Sequence, residues 1–205
     1  MRENDFYSSI ENSASAEFKD RGSKFIAYTY PVKSVDECKQ KINELKKMHP
    51  KATHHCFAYR IGTEGNNFRA SDDGEPSGTA GRPILGQIDS KSLTNVIVIV
   101  VRYFGGVLLG TPGLINAYKS SASMVLQLIP AVRKPVESTF NIEFDYTRLN
   151  EIMIITRQYN CRIIKQELQL FCNMTIAVPR NRMDEFLEKL DNLRLGENFL
   201  KKVAE

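Results

Sequence analysis

Apolar and polar positions along this chain follow two different rhythms. Over 53–61 they alternate, with His55, Phe57, Tyr59 and Ile61 pointing one way and His54, Cys56, Ala58 and Arg60 the other, which predicts a strand with one core face and one mixed face. Over 96–101 the alternation stops. Val96-Ile97-Val98-Ile99-Val100-Val101 is apolar throughout and predicts a strand buried on both faces. A further strand is predicted over 25–32. Ser34-Val35-Asp36-Glu37 forms a capping box, and Val35, Cys38, Ile42 and Leu45 share one face of the helix it opens, which should end near Met48-His49-Pro50. Gly and Asn residues over 62–67 predict a turn into a short strand over 68–71, making a hairpin. Pro83 is placed in the first turn of a helix over 83–88.

Pro130-Ala131-Val132-Arg133-Lys134-Pro135 stops the preceding helix and stiffens an extended connection, so domains are expected over 1–132 and 136–205. In the second, strands over 138–144, 162–168 and 172–178 are interleaved with two helices. One carries Leu149, Ile152, Met153 and Thr156 on one side after Asp145 as cap; the other carries Met183, Phe186, Leu187, Leu190 and Leu193 after Asn181 as cap. With a last strand over 197–203, the order is that of a ferredoxin-like α/β sandwich. The expected fold class is α+β in two domains.

Two segments are dense in glycine: Asp72-Asp73-Gly74-Glu75-Pro76-Ser77-Gly78-Thr79-Ala80-Gly81, and Arg102-Tyr103-Phe104-Gly105-Gly106-Val107-Leu108-Leu109-Gly110-Thr111-Pro112-Gly113-Leu114. Each glycine weakens a regular element by up to about 1 kcal/mol and is used where backbone must turn or approach something closely. The second segment sits where the buried strand hands over to a helix, with Thr111 as N-cap and Pro112 at the first helical position. Free N–H groups and the helix dipole there suit an anion; close packing of helix on sheet would use the same glycines. Neither G-x-G-x-x-G nor a P-loop is present. The candidate binding residues are Arg102, Tyr103, Gly105, Gly106 and Gly110, with Asp72, Glu75 and Thr79 from the first segment, and His54. Arg102 would leave the strand at its end and reach a phosphate, or else pair with Asp72, Asp73 or Glu75. Both segments lie at junctions of strand and helix, so they are expected to meet in space.

Catalytic chemistry finds less support. Asp72, Asp73 and Glu75 are dense enough to hold Mg²⁺ or supply a general base, but Asp, Gly and Pro76 are turn formers, and Ser77 or Thr79 can cap the helix that follows. His54 and His55 point to opposite faces, which excludes a shared metal. His54 and Cys56 share a face without a local nucleophile signature. No catalytic residue, metal or cofactor is expected.

The net charge is +4, with 18 Lys and Arg against 13 Asp and Glu over 1–135, and 10 against 11 over the remainder. That basic excess is compatible with an anionic partner but falls short of a typical nucleic-acid-binding domain. The four cysteines contain no C-x-x-C pair, so neither a zinc knuckle nor a disulfide framework is encoded. No apolar run approaches the roughly 18 residues of a spanning helix, and residues 1–6 lack the apolar core of a signal peptide. A cytoplasmic protein without membrane contact is expected.

Gly22-Ser23-Lys24-Phe25-Ile26-Ala27, Thr53-His54-His55-Cys56-Phe57-Ala58-Tyr59-Arg60, the first glycine segment extended through Arg82-Pro83-Ile84-Leu85, and Val100-Val101-Arg102-Tyr103-Phe104-Gly105-Gly106 together resemble the IMPACT/YigZ family in its two-domain bacterial form. The resemblance covers most of 20–120. The chain departs from it at Thr111-Pro112, where the family usually has a small residue and glycine, and at Asn116, where an arginine commonly precedes the retained Ala117-Tyr118. The resemblance implies a first domain like domain 2 of ribosomal protein S five, with a left-handed β-α-β crossover, and a second like domain V of elongation factor G. Eukaryotic members are translational regulators that bind a large activator of a stress kinase, a role not expected of the two-domain form. The expected function is a non-enzymatic binding protein linked to translation, contacting RNA, ribosome or a translation factor through the glycine-rich surface. An enzyme or sensor for a small phosphorylated or carboxylated ligand is the alternative.

Overall fold

The computed structural model describes residues 5–193 and 200–203. The chain forms two compact units, Tyr7–Lys134 and Pro135–Glu205, the latter also taking Met1–Phe6. Within it the Val136 N–H donates to the Asp5 carbonyl. The architecture is α+β throughout.

The first unit is built on a five-stranded sheet in the order β2 (Ala14–Asp20), β3 (Ser23–Pro31), β6 (Val96–Tyr103), β4 (His54–Ile61), β5 (Asn67–Ser71). β3 and β4 both run antiparallel to β6. They are therefore parallel to each other, joined through α1 (Val35–Met48) with β6 between them. α2 (Gly81–Ser90) and α3 (Gly110–Gln127) cover one face, where Val96, Val98 and Val100 join Phe25, Ala27, Cys56 and Ala58 in a core. α1 covers the other, where Ile97 and Ile99 meet Phe57, Tyr59 and Ile61. A strand with helices on both sides has no polar face, which is why the run over 96–101 does not alternate. Separately, β1 (Phe6–Ser9) pairs with β7 (Val132–Pro135). Residues 132–135 are thus extended, as the two prolines require, and they belong to a strand.

The second unit runs β8 (Glu137–Asp145), α4 (Leu149–Gln158), β9 (Arg162–Glu167), β10 (Phe171–Pro179), α5 (Met183–Asp191) and β11 (Leu200–Lys202). The sheet order is β11-β8-β10-β9 with every neighbouring pair antiparallel, as in a split β-α-β sandwich. Phe140, Ile142 and Phe144 pack with Ile152, Phe186 and Leu190 between sheet and helices. Of the last strand expected over 197–203, residues 197–199 lie outside the described residues.

Local caps divide into expected and unexpected. Ser34 Oγ accepts from the Glu37 N–H, and Asp145 accepts from the Thr147 N–H to open a short 3-10 turn ahead of α4. Asn181 caps nothing: it lies inside a 3-10 turn over Arg180–Arg182, and α5 follows with Arg182 as N-cap and Asn192 as C-cap, leaving Leu193 beyond it. Thr111 is not an N-cap either. α3 begins at Gly110 after Leu109, so Pro112 is its third residue, where a missing N–H still leaves no intrahelical bond unmade. β2 alternates strictly, with Ala14, Ala16 and Phe18 on its core side, but two of those three are alanines, which make a weak apolar face. Among the described residues no helix is long and apolar enough to cross a membrane.

Candidate functional site

Neighbouring residues of a strand point to opposite faces, and the end of β6 separates two candidates that the sequence placed together. Arg102 turns into the face under α3, where it is 5% exposed. Its Nη1 donates to Glu75 Oε1 at 2.6 Å and its Nη2 to Ser23 Oγ at 3.4 Å. The guanidinium lies over the rings of Phe25 and Phe104, 5.5 and 5.6 Å from their centroids. Tyr103 turns the other way, and its hydroxyl meets His49 Nδ1 at 2.9 Å, while His49 Nε2 meets the Tyr28 hydroxyl at 2.8 Å.

Glu75 is the centre of the buried network. Oε1 also accepts from the Tyr118 hydroxyl of α3 at 2.7 Å, and Tyr118 in turn accepts from the Cys56 thiol at 3.3 Å. Burial pushes the Cys56 thiol well up, so it stays protonated and supplies no nucleophile. Burial, with Cys56 and Glu75 beside it, likewise holds the Tyr118 hydroxyl protonated. His54 Nδ1 lies 2.8 Å from the Asp73 carbonyl oxygen. A carbonyl can only accept, so the neutral ring carries its proton on Nδ1 and its lone pair on Nε2. Nε2 stands 3.9 Å from Glu75 Oε1.

Of these groups, His54, Glu75 and Arg102 line a cavity of about 410 Å³ together with the apolar side chains of Pro76, Phe104, Leu108, Leu109 and Leu114 and with Thr53, Gly110 and Thr111. The two glycine segments do meet, joined by the Glu75–Arg102 pair. Four candidates from the sequence line the cavity, namely His54, Glu75, Arg102 and Gly110. Gly105 does not. A Cβ on it would fall 1.9 Å from the Gly22 carbonyl carbon, so its lack of a side chain lets two loops touch backbone to backbone. Gly106, with φ +85° and open space beside it, serves the turn. Thr79 is buried with its hydroxyl on the Pro76 carbonyl.

Asp72 closes the first glycine segment. Its carboxylate accepts from the N–H groups of Gly78, Ala80 and Gly81 at 2.8–3.0 Å, doing at long range what Ser77 or Thr79 would have done as a cap. Burial pushes this carboxyl up, but the three N–H donors outweigh it and hold it below the usual range. A depressed carboxylate contributes stability above its unfolded value, about 3.9, and loses it as pH falls through the lower folded value. Asp72→Ala should therefore cost about 1–2 kcal/mol at pH 7. In urea melts the gap from the wild type should narrow by pH 3; a gap independent of pH would refute the capping role.

Three contributors went unnoticed in the sequence: Tyr118, Ser23 and the apolar walls. Tyr118 had a signal, since it shares the helical face of Leu114, Ala117, Ser121 and Val125, and a buried tyrosine needs a partner for its hydroxyl. Among the described residues no three His, Cys, Asp or Glu side chains gather as a metal cluster.

The model of the Impact N-terminal domain matches residues 21–126. This chain belongs to the IMPACT family. It is 32% identical to IMPACT family member YigZ of Escherichia coli K12 over 89% of its own length and 91% of that protein. To IMPACT family member YvyE of Bacillus subtilis it is 38% identical, covering 95% and 90%. A solved crystal structure of a hypothetical protein superposes with a TM-score of 0.74 at 30% identity, covering 98% of each chain. The IMPACT match spans the whole glycine-rich site, from Gly22 to Tyr118.

Proposed function

We propose that this IMPACT family member is a binding protein linked to the regulation of translation, and that it contacts its partner through the loop between β6 and α3. The tie to translation rests on the family resemblance. The surface rests on one observation: Phe104, Val107 and Leu108 are exposed on that loop, Leu108 by 82%. Large apolar side chains grouped on a surface beside a cavity are the usual mark of a contact site. They favour a protein of the ribosome or a translation factor over RNA, because Arg102, two residues before Phe104, is buried and already paired with Glu75. The reading of Arg102 as a grip on RNA phosphate is the weaker one, carried only by the basic excess over 1–135.

Leu108→Asp tests the surface. The substitution is exposed and should leave the melting curve within about 0.5 kcal/mol of the wild type, while weakening co-sedimentation with purified ribosomes by at least about 1 kcal/mol. Unchanged binding would remove the loop from the contact. Binding to protein-free ribosomal RNA with a steep salt slope would favour the RNA reading instead.

A further inference from the structure

β6 ends where β3 and β4 begin, with Tyr103 opposite Lys24 and Arg102 opposite His54, so three connections gather at one end of the sheet. The turn between β2 and β3 touches the loop after β6 through Gly22 and Gly105. The connection from α1 to β4 is tied to the end of β6 as well: the Thr53 N–H donates to the Arg102 carbonyl, the Phe104 N–H donates to Thr53 Oγ1, and His49 meets the Tyr103 hydroxyl. These ties bring two kinds of exposed side chain to one place. Met48, 64% exposed, joins Phe104, Val107 and Leu108 as apolar side chains in water. The same connections carry Arg21, Lys47 and Lys51, all exposed.

Those three cations have no carboxylate partner among the described residues, whereas the acidic side chains of the neighbouring glycine segment are engaged. Asp73 takes Lys46, Glu75 takes Arg102, and Asp72 accepts from three N–H groups at the start of α2. Asp20 alone opposes the free cations. Unpaired cations beside exposed apolar side chains complement a chain segment that carries carboxylates next to apolar anchors. Nucleic acid fits less well. Phe104 is the one ring among these exposed side chains, and the Arg102 guanidinium already lies over it at 5.6 Å; Met48, Val107 and Leu108 offer no ring on which a base could stack.

We infer that this end of the sheet binds an acidic protein segment with apolar anchors, its Leu or Phe side chains seated on the loop after β6 and its carboxylates paired with Arg21, Lys47 and Lys51. The inference rests on the docking reading and adds to it the chemistry of the partner.

Selection of random linear peptides displayed on phage, with the intact protein as bait, tests it. The selected sequences should be rich in Asp and Glu beside Leu, Ile or Phe, and a synthetic peptide of the commonest sequence should bind more weakly as salt rises. The double variant Arg21→Asp with Lys51→Glu leaves the loop after β6 unchanged, and Asp suits the positive φ of 44° at position 21. It should melt as the wild type does and bind the synthetic peptide at least about tenfold more weakly. The same peptide with Lys in place of every Asp and Glu should bind the double variant better than it binds the wild type. The inference is overturned if no sequence is enriched, if the enriched peptides are neutral or basic, if the double variant binds as the wild type does, or if single-stranded oligouridylate binds the wild type more tightly than the selected peptide. Ribosome binding lost in Leu108→Asp but kept in the double variant would leave the docking reading standing and remove the acidic partner.

Discussion

Gly105→Ala should be the most damaging single-methyl change in the first unit, costing about 3 kcal/mol or more. The added Cβ would lie 1.9 Å from the Gly22 carbonyl carbon and 2.2 Å from the Ser23 nitrogen. Those neighbours are backbone, so no side chain can swing aside. Relief requires pulling the end of β6 from the turn between β2 and β3, which would also break the bond from the Gly105 N–H to Ser23 Oγ. Large losses of this kind follow from overpacking at a site that cannot yield. Gly106→Ala is the control: it has open space around it, and only its positive φ opposes the change, at about 1–2 kcal/mol. Expression yield and urea denaturation of both variants decide the matter. Near-equal stability of the two would mean the loops separate easily, and that the Gly22–Gly105 contact does little to hold the site.

Glu75→Ala should destabilise the protein by about 3–5 kcal/mol, because it leaves the Arg102 charge buried without its partner. The side chains of Glu75 and Arg102 are 3% and 6% exposed, so water cannot readily take over. Arg102→Ala should cost a similar amount, since it strands the carboxylate and empties the space between Phe25 and Phe104. The double change Glu75→Leu with Arg102→Met should recover most of the loss, as apolar replacements of buried ion pairs commonly do. Denaturant midpoints on the three variants separate the accounts. Stable folding of Arg102→Ala together with loss of RNA binding would return Arg102 to the role of a phosphate grip.

The position of Tyr118 explains why the pair can be buried at all. A single carboxylate oxygen receives Arg102 and Tyr118 together, and charge-assisted hydrogen bonds of this kind offset part of the desolvation. The network links β6, α3 and the loop after β5. It therefore ties together the two glycine-rich segments. The exposed Leu108 lines the same cavity as Glu75 and Arg102.

The chain's periodicities determined most of the elements. Alternation over 53–61, the unbroken apolar run over 96–101 and the helical spacings after Ser34 and Asp145 each reflect the local environment of one element, which a sequence states directly. They also determined that the two glycine segments sit at junctions of strand and helix, and so would converge. Tertiary structure alone decided what the convergence does. Whether Arg102 faces solvent or a carboxylate depends on where a loop 27 residues away returns over the sheet, and no periodicity records that distance. The same holds for Asp72, which caps a helix start from eight and nine residues upstream, beyond the reach of local capping rules. Gly105 carries the plainest lesson. In sequence it is one of several glycines with no mark to set it apart, and only its approach to the Gly22 backbone makes it a position where a single methyl group has no room.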